Sequence, residues 1–261
     1  MRVSLVITTY NWPEALGLVL ESALRQTRPP DEIIVADDGS AAGTAELVAS
    51  VAKRSDVPII HSWQEDKGFR AAMSRNNAIA KAAGEYIVLI DGDIVLEKHF
   101  VADHLASAGT GFFVQGSRVI VGEQATRTAF ANGALGFSLF SPGLENRKNC
   151  IRSRLLSRVF SRETTNLNGI KTCNFAFWRK DALAVNGFNE DFVGWGREDS
   201  EFAARLMNSG VHRRNLKFLA TGYHLYHATC SRAHLPTNDE ILARAVMEKT
   251  TWCANGVAKY L

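Results

Sequence analysis

Apolar and polar positions alternate between two rhythms over the first ninety residues. VSLVITT (Val3–Thr9) is an unbroken run rich in β-branched residues, the pattern of a strand buried on both faces. EIIVADD repeats it and closes in the turn chemistry of DGS; VPIIHS and EYIVLI supply two further strands. Between them the apolar spacing is helical. Pro13 suits the first turn of a helix running to about Gln26; residues 43–54 form a second, and Arg70–Ala83 a third, stopped by Gly84. This alternation predicts an α/β fold, a mostly parallel sheet with helices on both faces and ligands at the carboxyl ends of its strands. Past Phe100 the rhythm loosens. FFVQGSRVIV reads as one more strand, and the segment from about Gly122 to Ile170 is irregular and basic. Regular pattern returns in TCNFAFWRKDALAVNGFNEDF and GWGREDSEFAARLMNSG. No repeat, low-complexity tract or linker divides the chain, so residues 1–261 are expected to form one domain.

Composition adds little. The chain has 261 residues, 46% hydrophobic and 22% charged, enough for a full core without covalent staples. Cys150, Cys173, Cys230 and Cys253 show no metal-type spacing and read as reduced thiols. With no secretory pattern and no apolar stretch of membrane-spanning length, the expected location is the cytoplasm. A net charge of +3 identifies no partner by itself.

The strand ends carry the candidate chemistry. The first strand delivers Thr8, Tyr10 and Asn11, the second Asp37 and Asp38, the fourth Asp91 and Asp93. Carboxylates as close as Asp91 and Asp93 repel each other and resist burial, unless water or a cation offsets their charge. Hard oxygen ligands at a strand end suit Mg2+ or Mn2+ with a diphosphate completing the shell, and Gly92 would let the backbone approach the ligand. In GWGREDSEF, Glu198 and Asp199 open a helix whose positive end favours their ionised form. A carboxylate so placed beside Trp195 suits a general base under a sugar ring. Ser200 and Glu201 read as ordinary helix-opening residues.

VSLVITTYN, IIVADDGS, RNNAIAKAAGEYIVLIDGDIVL and NGFNEDFVGWGREDSEFAARL together resemble the inverting glycosyltransferases of family 2, which have the GT-A fold. The Gly-Trp-Gly-x-Glu-Asp element further resembles galactosyltransferases and chondroitin polymerases. The resemblance implies a nucleotide-sugar-binding half (1–110) and an acceptor-binding half (111–261). It implies that Thr8 and Asp38 contact uracil with Asp37 adjacent, that Arg75 lies near the diphosphate, and that Asp91 meets the ribose or the ion's water shell. It further implies Asp93 as ligand of Mn2+ or Mg2+, Asp199 as base, Glu198 as acceptor holder and Trp195 as a wall of the sugar site. The metal-dependent relatives add a histidine after the acidic helix, here His224 or His227. On a strand, residues three apart face opposite ways, so one of the two is expected at the metal, with His227 preferred. The implied reaction moves Gal, GalNAc, Glc or GlcNAc from a UDP-sugar to a glycan or lipid-linked acceptor in envelope polysaccharide or lipopolysaccharide synthesis. A nucleotidyltransferase would need a glycine-rich basic loop after the first strand, where TTYNWPEAL stands. A silent nucleotide- or carbohydrate-binding module would not need both Asp93 and Asp199.

Arg147, Lys148, Arg152, Arg154, Arg158 and Arg162 alternate with Ile151, Leu155, Leu156, Val159 and Phe160 at helical spacing, predicting a basic amphipathic helix over 147–162. It reads either as a lid on the acceptor site or as a contact with the anionic inner face of a membrane. No nucleic-acid recognition motif accompanies the charge.

Overall fold

The computed structural model describes residues 1–228 and 231–261; Cys230 lies outside them. The first half alternates as its pattern predicts: β1 (Val3–Thr9), α1 (Pro13–Leu24), β2 (Glu32–Asp37), α2 (Ala42–Ala52), β3 (Ile59–Trp63), α3 (Ala71–Lys81) and β4 (Tyr86–Asp91). There follow β5 (Ile94–Leu96), α4 (Phe100–Ser107), β6 (Phe112–Gln115), β7 (Arg118–Val121), α5 (Glu123–Asn132), β8 (Leu144–Glu145), α6 (Arg154–Phe160), β9 (Arg162–Thr164) and β10 (Asn174–Trp178). The chain continues through α7 (Arg179–Ala184), α8 (Glu198–Asn208), β11 (His212–Asn215), β12 (Gly222–His224) and α9 (Leu235–Met247).

Eight strands form the main sheet in the order β3-β2-β1-β4-β10-β6-β11-β9. β1 to β4 are mutually parallel, whereas β10 runs antiparallel to both of its neighbours, β4 and β6. Both halves of the chain therefore build one sheet. Side-chain alternation sends Leu5, Ile7, Val88 and Ile90 to one face, under α1, α2 and α4. Val6, Leu89 and Phe175 go to the other face, against α3 and α8. A second sheet, β5-β12-β7-β8, packs on the first of these faces.

FFVQGSRVIV is two strands in two sheets. Gly116 breaks it, because a Cβ there would lie 2.4 Å from the Asn174 side chain. Asn174 donates to the carbonyls of Ser117 (2.8 Å) and Ala220 (2.7 Å) and pairs with His104 Nε2 (2.8 Å), pinning the sheets together. The basic helix is also shorter than its pattern predicts. Arg147–Cys150 is a single 3-10 turn, and α6 covers only Arg154–Phe160. The break falls where Arg152 leaves the helical register to pair with the buried Asp103 at 2.6 Å. Ser153 then caps α6 through Leu156 N. Its apolar side chains do not form an interior face: Leu155, Val159 and Phe160 are exposed.

Candidate active site

The crevice lies where β1, β2 and β4 end. Gly92 N donates to Thr8 O at 2.7 Å, and a Cβ at Gly92 would come within 3.0 Å of that oxygen. The end of β1 packs so closely on this turn that a glycine is required there. This close turn separates the two aspartates. Asp91 follows the side-chain parity of Ile87 and Leu89, toward α3 and α8, while Asp93 leads into β5 and the small sheet.

On the α3 side, the buried Arg75 gathers three partners. Its Nη1 donates to Glu198 Oε1 (3.0 Å), its Nη2 to Asp91 Oδ1 (3.4 Å) and its Nε to Thr8 Oγ1 (3.3 Å). Burial opposes the guanidinium charge, but Glu198 and Asp91 hold its pKa above the ordinary value. Burial and the Glu198 charge raise Asp91, against the pull of Arg75. Asp199, the next residue on α8, has no arginine bonded to it among the described residues. It accepts from Ser200 N at 2.6 Å, and burial beside Glu198 pushes its pKa up to about 7. The turn before this helix needs a left-handed backbone at Gly194, Gly196 and Arg197. It leaves Trp195 exposed under the Arg232 guanidinium, 5.5 Å from the ring centre. Glu201, by contrast, is buried in a two-bond pair with Arg205 (2.7 and 2.8 Å) and stays out of the crevice.

On the opposite side, Asp93 meets both histidines. β12 pairs antiparallel with β5, setting His224 opposite Ile94, and Leu225 N donates to Asp93 O at 2.9 Å. The strand stops at His224, so alternation no longer governs His227, and both rings turn to the same carboxylate. Nε2 of His224 lies 3.6 Å and Nε2 of His227 3.3 Å from Asp93 Oδ2. The expectation that only one histidine reaches the site is therefore corrected. His227 Nδ1 donates to Ala228 O at 2.7 Å, which turns Nε2 toward the cluster. Burial lowers His224 to about 3, so its ring is neutral and free to ligate. Burial and Asp91 raise Asp93 to about 8, and its Oδ1 is buried without a hydrogen-bond partner among the described residues. One carboxylate and two imidazoles, with ligand atoms within 4.8 Å of one another, fit a divalent cation.

At β2 the two aspartates divide. Asp38, at the crevice, accepts from Arg70 N and Gln64 Nε2, both at 2.7 Å, and burial raises it to about 6. Asp37 is fully buried; despite burial, hydrogen bonds from His61 and Ser40 hold it below the usual carboxylate range. It braces the turn and does not face the crevice, contrary to the expectation from its position. Tyr10 is exposed at the rim and donates to Asp66 Oδ2 at 3.0 Å. The sequence reading missed Arg118 on β7. Its guanidinium donates to Cys173 Sγ at 3.4 Å, and its charge acts on Asp91, Asp93 and His224. An arginine beside the apolar run VIV gives no hint that the strand crosses to the metal-type cluster.

The family described as glycosyl transferase family 2 matches residues 4–185, and that described as N-terminal domain of galactosyltransferase matches residues 157–228. Chondroitin synthase of Escherichia coli is 26% identical over 250 residues, covering 85% of this chain and 34% of that protein. Validoxylamine A glucosyltransferase of Streptomyces hygroscopicus subsp. limoneus is 29% identical over 225 residues, covering 80% and 48%. This chain thus spans less than half the length of either relative. Among solved structures, S. aureus TarS 1-349 in complex with UDP superposes with a TM-score of 0.65 at 18% identity, covering 100% of this chain and 68% of that one. The mannosyltransferase PcManGT from Pyrobaculum calidifontis, in complex with GDP-Man and Mn2+, gives 0.57 at 21%, covering 85% and 56%. The first match covers well over half of the chain, from β1 through β10, and takes in the ends of β1, β2 and β4, which makes the chain a member of glycosyl transferase family 2, built on the GT-A fold.

Proposed function

We propose that the chain transfers a hexosyl group from a UDP-sugar to a hydroxyl of a glycan or lipid-linked acceptor, with inversion, in envelope polysaccharide synthesis. The observation that carries this reading is the unequal setting of neighbouring carboxylates. Glu198 is tied to Arg75, whereas Asp199 is raised to about 7 and can take a proton at neutral pH. In the proposed step the acceptor oxygen attacks the anomeric carbon, and the hydroxyl proton passes to Asp199. The bond from that carbon to the diphosphate oxygen breaks, its electron pair leaving with UDP. An α-linked donor then gives a β-glycoside. Asp38, Thr8 and Tyr10 line the uridine side, Arg75 and Asp91 the ribose and diphosphate, and Trp195 the sugar. Glu198 positions the acceptor and Arg75 together.

Asp93, His224 and His227 would hold the cation. Two imidazole nitrogens suit Mn2+ better than Mg2+, which takes oxygen ligands. When bound, such an ion neutralises charge developing on the departing diphosphate. Residues 1–110 supply most of the donor side, and residues 111–261 the acceptor side together with Trp195 and the two histidines, within one domain. Family membership displaces the nucleotidyltransferase alternative.

The test is release of UDP from a panel of UDP-sugars with acceptor glycans, with and without Mn2+, alongside GDP-mannose. Expected are Mn2+-dependent release from a UDP-sugar and at least a 10²-fold lower turnover for Asp199→Asn with donor binding retained. Near-normal turnover in Asp199→Asn would overturn the assignment of the base.

A further inference from the structure

We propose that a second site, the arginine-walled cavity between α4, α6 and β11, takes the phosphate of an anionic lipid headgroup and docks this face on a bilayer. The cavity has a volume of about 500 Å3, and none of the crevice residues lines it. Four arginines, Arg154, Arg158, Arg162 and Arg214, stand on its walls against two carboxylates, Asp103 and Glu163. Both carboxylates are already engaged. Asp103 accepts from Arg152 (2.6 and 2.9 Å) and from Ala220 N (3.1 Å), and Glu163 from Arg214 Nη2 (2.9 Å). Arg214 is fixed further by Ser107 O (2.7 Å) and by stacking on Phe112, 4.4 Å from its ring centre. Arg154, Arg158 and Arg162 have no carboxylate partner among the described residues, so the cavity keeps an unneutralised positive charge. The adjoining hydroxyls of Ser157 and Ser161 lie 3.1 Å apart. Guanidinium forks beside hydroxyls match the oxygens of a phosphate.

The geometry of α6 decides the source of that phosphate. Helical spacing puts Arg154, Ser157 and Arg158 on the cavity side, while Leu155 and Val159 point elsewhere, 70% and 60% exposed, with Phe160 beside them at 50%. A soluble phosphate compound would use the arginines and leave this apolar edge in water. An anionic bilayer meets both, with headgroup phosphate at the cavity and the apolar side chains at the acyl boundary. The inference rests on these residues and not on the transfer reaction. Asp103 nonetheless connects the two sites, because its bond to Ala220 N anchors the chain just ahead of β12 and His224.

The test is co-sedimentation of the full chain with phosphatidylcholine vesicles, with and without phosphatidylglycerol, at low and high salt. Expected is binding to the anionic vesicles alone, weakened by salt. It should fall roughly 25-fold or more in Arg154→Glu/Arg158→Glu and be reduced in Leu155→Ser/Val159→Ser. Circular dichroism and UDP binding of the variants should match the unmutated chain. Arg154→Gln/Arg158→Gln, which keeps side-chain length, serves should the glutamate pair disturb folding. The proposal is overturned by absence of binding at low salt, or by equal binding of folded arginine variants. Unchanged binding of the serine pair overturns insertion of the apolar edge. Inorganic pyrophosphate binding to a chain that ignores vesicles overturns the lipid as the source.

Discussion

Asp91 and Asp93 are separated by one glycine, yet their surroundings differ. Asp91 receives Arg75, so the protein itself offsets part of its charge. Asp93 has the neutral ring of His224 and the ring of His227 beside it, an oxygen buried without a partner among the described residues and a pKa of about 8, so apart from the Arg118 charge its ionised form depends on what it binds. This contrast was only half legible in the sequence. A D-G-D at the end of a buried strand announces a carboxylate site, but which aspartate would keep an arginine depends on α3, and Arg118 left no trace in its strand. Two expectations misread local geometry: Asp37 has the same strand-end position as Asp38 but the opposite side-chain direction, and His227 escapes strand alternation because β12 ends at His224. At this scale, Asp93→Ala should abolish Mn2+-dependent UDP binding in calorimetric titration while the far-ultraviolet circular dichroism spectrum stays unchanged. Unaltered titration would remove Asp93 from the ion site. Turnover should rise with pH on an acid limb near 7, since Asp199 works only when deprotonated.

Among the elements, those with a simple period were legible and those that serve two sheets were not. β1 to β4 and α1 to α3 follow from uninterrupted strand and helix patterns, and β4 ends at Asp91, one residue after its apolar run stops. FFVQGSRVIV has the same apolar content, but the chain has to pass around Asn174, a contact with a residue far along the sequence. The basic segment kept its helical spacing on paper and lost it to one ion pair, Arg152 with the buried Asp103. Asn174 locks the two sheets together, since it satisfies Ser117 O, Ala220 O and His104 at once. Asn174→Ala leaves these buried groups without partners and should lower unfolding free energy by about 3 kcal/mol. Urea denaturation measures this directly. A loss below about 1 kcal/mol would mean that water or local repacking replaces the side chain and that the sheets do not depend on it.

For the whole molecule, the catalytic crevice sets a cost that depends on pH. Asp38, Asp199 and Asp93 are raised to about 6, 7 and 8 from an ordinary 3.8. Each folded carboxyl holds its proton more tightly than the unfolded chain does. Their contribution to stability is therefore fully present below about pH 4 and is lost as pH rises through 6 to 8. The ion-free protein should consequently unfold at a lower temperature at pH 8.5 than at pH 5.5, measured in the presence of a chelator. Adding Mn2+ should narrow that difference from the alkaline side, because a cation binds the ionised form of Asp93 and stabilises the folded state. Asp93→Asn removes the group with the highest of the three values, so its melting temperature should fall less between the two pH values and should not respond to Mn2+. If the variant shows the full decline, the pH sensitivity arises elsewhere in the fold and the crevice is not its source.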